Sequence, residues 1–123
     1  MDEPHRSPRF ERYDCSAGCP VEAALELIGG KWKGLVLFHL LDGPVRFNAL
    51  RRLIGGVTAR VLARQLRELE AAGLVHREAY PVVPPRVEYS LTPMGASLGD
   101  ILMSLQEWGA RWALPKDLAA PEE

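Results

Sequence analysis

The chain has 123 residues, 47% hydrophobic and 25% charged, which fits one globular domain with a modest core. Its 15 Lys and Arg against 16 Asp and Glu leave a net charge of −1, so any surface for a polyanion has to come from local segregation of charge. No apolar run approaches the roughly 18 residues of a membrane span, the N-terminus has no apolar signal segment, and two cysteines make no disulfide framework; a cytoplasmic protein is expected.

Residues 1–14 are polar, carry two prolines and show no periodicity, as in a flexible arm. The expected domain spans 15–114. Cys15 and Cys19 follow the arm, and Pro20 stands where a helix can begin. VEAALELIGG then reads as a short helix with Val21, Leu25 and Ile28 as its apolar stripe. KWKGLVLFHLLDG reads as a second helix, apolar over most of its surface, with Trp32, Leu35, Val36 and Leu40 toward the core. Asp42-Gly43-Pro44 marks a turn.

From Phe47 to Val75 the pattern is a short helix, a Gly-containing turn and a longer helix. Leu62, Leu66 and Leu69 share one face of the second helix, and Arg60, Arg64 and Arg67 lie roughly opposite. Thr58 is placed to cap its start and Gly73 to end it. Between Gly43 and Arg67 stand six arginines (46, 51, 52, 60, 64, 67) and no acid. A basic block confined to a helix-turn-helix pattern suits double-stranded DNA; the plain alternative is a solvated amphipathic helix.

After Gly73 the period becomes two. Val75, Arg77 and Ala79 fall on one side of a strand, and His76, Glu78 and Tyr80 on the other. RVEYSL alternates again, and Pro81-Val82-Val83-Pro84-Pro85 joins the two as a stiff apolar loop. Two strands after such a helix make a wing, so the expected fold is mainly α with a small β-hairpin wing, a winged helix-turn-helix. Arg60 and Arg64 are then placed to read the major groove, and Arg46 and Arg86 to hold the backbone.

Thr92 and Pro93 cap and start a helix expected to run about 20 residues, ~30 Å long. Met94, Leu98, Ile101, Leu105, Trp108 and Trp112 form a heptad seam along it, widened by Leu102. A domain this small has little core to offer so long a seam, so dimerisation through this helix is expected, with a near-palindromic operator as its counterpart. Residues 115–123 read as a tail.

Other classes are poorly supplied. A thiol enzyme lacks its constellation: histidines stand only at 5, 39 and 76, away from both cysteines in the pattern. There is no C-x-x-C, no phosphate loop and no H-E-x-x-H, so neither cofactor nor catalytic residue is expected. A metal site built on C-x₃-C would need His5 or Asp14 as well. A winged helix that binds only proteins would not need so concentrated a block of arginine.

CPVEAALELIGGKW, GPVRFNALRRLIGGV, LARQLRELEAAGLVHREAYPVVPPRVEYSLTPMG and the late Trp108-Gly109 together resemble the HxlR family of bacterial transcription regulators, within the MarR-like winged-helix group. The likeness runs from residue 19 to about 112, with GGKW, RFN, LRELE-x-x-GL and PPRVEYSLT in order. It implies a winged helix dimerising through terminal helices and binding an operator near its own promoter and a neighbouring gene. The recognition positions it implies are Thr58, Ala59, Arg60, Val61, Ala63, Arg64 and Gln65. The family often has Ser-Pro or Ser-Gln at the first two and a hydroxyl residue at the fifth. Those departures bear on the operator sequence and not on the fold.

Cys19 precedes a helix N-terminus, where backbone N–H groups and the helix dipole favour a thiolate. Several regulators resembling this chain sense oxidants or electrophiles at this Cys-Pro position, which implies a sensing role for Cys19 with Cys15 as secondary thiol. The alternative is a buried structural cysteine, with a non-covalent small molecule as the signal. Pairing of Cys15 and Cys19 within one subunit or between two stays open.

Overall fold

The structure, a computed structural model, describes residues 19–114. The arm at 1–14, Cys15 and the tail at 115–123 lie outside the described residues. α1 (Pro20–Ile28) starts at a proline, whose fixed φ suits a first helical turn, and stops at Gly29. A side chain at Gly29 would collide with the Leu25 carbonyl. α2 (Lys33–His39) is the central helix. Val36 and Leu37 are fully buried on it, with Leu40 just beyond its end. Leu35, expected in the core, is exposed, and Leu37 takes its place. Positions 36, 37 and 40 share one helical face, from which 35 is rotated away. Trp32 packs partly buried against the same core.

β1 (Val45–Arg46) is a third strand, too short for any alternation to reveal. α3 (Phe47–Ile54) runs straight on from it. Gly55 and Gly56 both hold positive φ, 73° and 71°, which two successive side-chain-bearing residues rarely adopt. Arg51 Nε donates to the Val57 carbonyl at 3.0 Å and closes this turn. α4 (Ala59–Ala71), at 13 residues, is the longest helix described. Thr58 caps it, its Oγ1 accepting from the Val61 N–H at 3.1 Å. Leu62, Leu66 and Leu69 are buried, as their spacing predicts, and Gly73 ends the turn at φ 83°.

β2 (Val75–Tyr80) and β3 (Arg86–Leu91) pair antiparallel from Val75 opposite Leu91 to Tyr80 opposite Arg86. β1 adds to the far side of β3, with Val45 opposite Tyr89 and Arg46 opposite Glu88, so the order is β1-β3-β2. Val75 and Tyr89 are buried on the core face. His76, Glu78 and Tyr80 alternate onto the other face with Glu88 and Arg86.

The C-terminal segment is not one long helix. It divides into α5 (Pro93–Ala96), a turn at Ser97-Leu98, α6 (Gly99–Trp108) and a final π-helical turn at Gly109–Ala113. At the break Ser97 Oγ donates to the Met94 carbonyl at 2.6 Å, and Leu98 N–H reaches Gly95 O at 3.1 Å. A side chain competing for backbone carbonyls, with Gly95 and Gly99 on either side, interrupts the helical ladder. Thr92 anchors the segment. Its N–H donates to Leu74 O at 3.1 Å, its Oγ1 donates to Gly73 O at 2.6 Å, and the same Oγ1 accepts from Gly95 N–H at 3.1 Å. Gly95 is buried there, and a Cβ on it would run into the Leu74 carbonyl. From α6, Leu102 enters the core.

Candidate nucleic-acid interface

The face opposite the leucines of α4 is polar and basic. Thr58, Ala59, Arg60, Arg64 and Arg67 are exposed, while Val61, Ala63 and Gln65 are half-buried. The recognition positions therefore split. Ala59, Arg60 and Arg64 are open to a ligand, whereas the Thr58 hydroxyl is occupied in capping the helix. The first acid after the basic block, Glu68, is paired: Lys33 Nζ from α2 donates to its carboxylate at 2.6 Å. That bond and the Lys33 charge, helped by Arg64 and Arg67, hold the Glu68 carboxyl below the usual carboxylate range. Lys33 thus balances the acid and ties α4 to the central helix.

α3 contributes a second stretch of the same surface. Asn48 and Arg52 lie four residues apart on one exposed face. They border two concavities, one running to Arg51 and the Gly55-Gly56 turn, the other to Arg46 and the wing base at Arg86. Their i,i+4 spacing is legible in the sequence, but the longer helix carries the stronger periodic signal. Arg51, counted with the basic block, instead holds the turn together.

Beyond β2 the wing loop exposes Val82 and, almost fully, Val83. Arg86 at its base is half-buried. Its guanidinium lies 4.2 Å from the centre of the Tyr80 ring, and its Nε is 3.6 Å from the Glu88 carboxylate. Tyr80 Oη donates to Glu88 at 3.4 Å. Stacking and charge therefore fix the direction of Arg86.

The seam residues are gathered elsewhere. Ile101 and Leu105 are each 52% exposed and Trp108 62%; Met94 and Trp112 are exposed too, and Leu98 is half-buried. Leu102, four per cent exposed, is the buried side chain of this helix. Val21 and Leu25 of α1 are likewise uncovered. Cys19, half-buried, occupies the N-cap of α1, with Val21, Glu22 and Leu25 lining the surface beside it. Cys15, its expected companion, lies outside the described residues, as do His5 and Asp14.

A helix-turn-helix whose second helix bares three arginines, beside a two-stranded wing, defines a winged-helix DNA-binding regulator of transcription. No described helix is long and apolar enough to cross a membrane. The chain belongs to the HxlR-like helix-turn-helix family, whose profile matches residues 27–117. It is 55% identical over 97 residues to the HTH-type transcriptional regulator YybR of Bacillus subtilis, covering 79% of this chain and 78% of that protein. Among solved structures it is similar to the redox regulator HypR in its oxidized form, at 52% identity and a TM-score of 0.74, over 79% of this chain and 100% of that one. It is also similar to the reduced form of the transcriptional regulator YodB from B. subtilis, at 36% identity and a TM-score of 0.68, over 80% and 98%. Family and relatives are regulators of transcription and not enzymes.

Proposed function

We propose that the chain acts as a homodimer that binds a near-palindromic operator. Arg60 and Arg64 read base edges in the major groove, and Arg46 and Arg86 hold the backbone. The observation that carries this reading is the division of the surface. Six exposed arginines lie together in sequence on β1, α3 and α4, with Arg77 and Arg111 exposed elsewhere, and the uncovered apolar seam of Ile101, Leu105 and Trp108 lies on α6. One face suits a polyanion and the other a second copy, whose two-fold axis would set half-site centres ~10 bp or a multiple apart. Gel shifts and footprints with the intergenic DNA beside the gene test it. Arg60→Ala and Arg64→Ala should each cost about 1–3 kcal/mol and relax preference at one base pair. Unchanged affinity and preference in both variants would remove α4 from the major groove.

A second reading concerns the signal, and two observations favour it. Cys19 is half-buried at a helix N-cap next to the uncovered Val21 and Leu25, and the similar protein HypR is a redox regulator. In this reading Cys19 is the sensor. Diamide couples two thiols to a disulfide and takes up their two hydrogens, with Cys15 of the same or the partner subunit as second thiol. The link at the dimer joint rotates the subunits and misplaces both reading helices. A coupling of ~3 kcal/mol would weaken DNA binding on the order of a hundredfold. Cys19→Ser should keep its DNA affinity in diamide. If it loses affinity as fully as wild type, Cys19 is not the sensor, and a non-covalent ligand becomes the better account.

A further inference from the structure

On the wing side of α3 lies a concavity of about 420 Å3 lined by three arginines from three elements. Arg46 comes from the end of β1, Arg52 from α3 and Arg86 from the start of β3. Asn48 lines it as well. Glu88, opposite Arg46 in the strand register and 3.6 Å from Arg86 Nε, is not among the residues that line it. Glu88 also accepts from the Tyr80 hydroxyl. Three arginines therefore line the concavity with no acidic residue beside them in the lining. The Arg86 Nε is buried and has no hydrogen-bond partner among the described residues. Like charges gathered around one concavity repel one another, and an anion with several acceptor oxygens relieves that repulsion.

We infer that this socket takes a single phosphodiester group of the DNA backbone, on which Arg46, Arg52 and Arg86 converge. The inference rests on the DNA-binding reading and adds Arg52, a stoichiometry of one phosphate and a mechanical role. A phosphate gripped from α3 and from the wing at once fixes the wing relative to the reading helix. A backbone phosphate fits better than a free anion, because Asn48 and Arg52 border this socket and also the next concavity toward the turn. That continuity makes a track for a strand and not a closed pocket.

The salt dependence of binding counts phosphates directly, since log K falls with log salt by about 0.9 per phosphate neutralised on duplex DNA. Fluorescence anisotropy would follow wild type, Arg52→Ala and the triple Arg46→Ala/Arg52→Ala/Arg86→Ala variant on a labelled duplex of the intergenic DNA. One shared phosphate predicts a slope shallower by about 0.9 per subunit in the triple variant, with Arg52→Ala between it and wild type. Three separate phosphates predict about 2.7 per subunit, and that result, or an unchanged slope, would overturn the inference. If the Arg86 substitution impairs folding, the exposed pair Arg46→Ala/Arg52→Ala decides between at most about 0.9 and about 1.8 per subunit. A slope left unchanged in the triple variant, together with inorganic phosphate that binds wild type and not the variant, would assign the socket to a free anion and overturn the backbone assignment. Wild type that binds no duplex at all would overturn the DNA-binding reading itself, whereas binding with the larger slope loss overturns only the socket.

Discussion

Three leucine-sized side chains on α6 are expected to fail in two different ways when shortened. Leu102 is four per cent exposed within its own subunit, while Ile101 and Leu105 are 52% exposed. Removing Leu102 to alanine empties the subunit core and should cost about 2–5 kcal/mol of folding stability. Full burial of a leucine-sized side chain is worth roughly 1.5–3 kcal/mol, so one already half-covered has about half of that left to gain in a dimer. A two-fold interface contains each position twice, which restores about 1.5–3 kcal/mol per substitution. Ile101→Ala or Leu105→Ala should then raise the dimer dissociation constant about 10- to 150-fold and leave the monomer folded. Glutamate at these positions would bury an unpaired charge and cost several kcal/mol more. Sedimentation over a concentration series reads the dimer dissociation, and urea denaturation reads the loss of folding stability. An Ile101→Glu/Leu105→Glu protein that stays a fully folded dimer would refute the seam. So would an Ile101→Ala monomer as unstable as Leu102→Ala, because the seam would then be core.

Thr58→Ala removes the cap of α4 and should cost ~1 kcal/mol of stability, read by thermal unfolding, with a further loss of DNA affinity as the first turn frays. The Lys33–Glu68 pair predicts an acid limb in stability. The folded Glu68 pKa is depressed, so its contribution is present above the ordinary carboxylate value and fades as pH falls through the lower folded value. Denaturant midpoints should therefore fall below about pH 4.5 partly through this group, and Lys33→Met should flatten that limb; an identical profile in the variant would show the pair to be inert.

The winged helix was legible because its elements carry strong periodic signals. The 4,3 leucine spacing of α4, its Thr58 cap and the alternation from Val75 to Tyr80 each identify an element by short-range chemistry. What escaped depends on contacts distant in sequence. β1 is two residues long and exists because Arg46 and Val45 meet Glu88 and Tyr89 far along the chain. The break at Ser97-Leu98 escaped because a heptad of apolar residues continues across it, while a single serine hydroxyl and two glycines decide the backbone. At the candidate site the basic block was visible as composition, but composition could not separate Arg51, which closes a turn, from Arg52, which faces outward. Leu35 and Leu37 are equally apolar, and only the packing of neighbouring elements selects which of them is covered.

The clasp at Thr92 makes the hairpin a closed loop. The chain leaves α4 at Gly73 and is bonded back to that same residue 19 positions later. Strain or extra length introduced at the tip of the hairpin is therefore confined within the ring, because its two ends are joined irrespective of what lies between. Lengthening such a loop costs entropy only logarithmically, about 0.6 kcal/mol per doubling. The hairpin can accordingly vary in length and sequence while α5 and α6 keep their setting on α4. Change at one does not require compensation at the other, so if the proposed dimer on a two-fold operator holds, operators that differ in the flank facing the hairpin are reachable without altering the distance between half-sites.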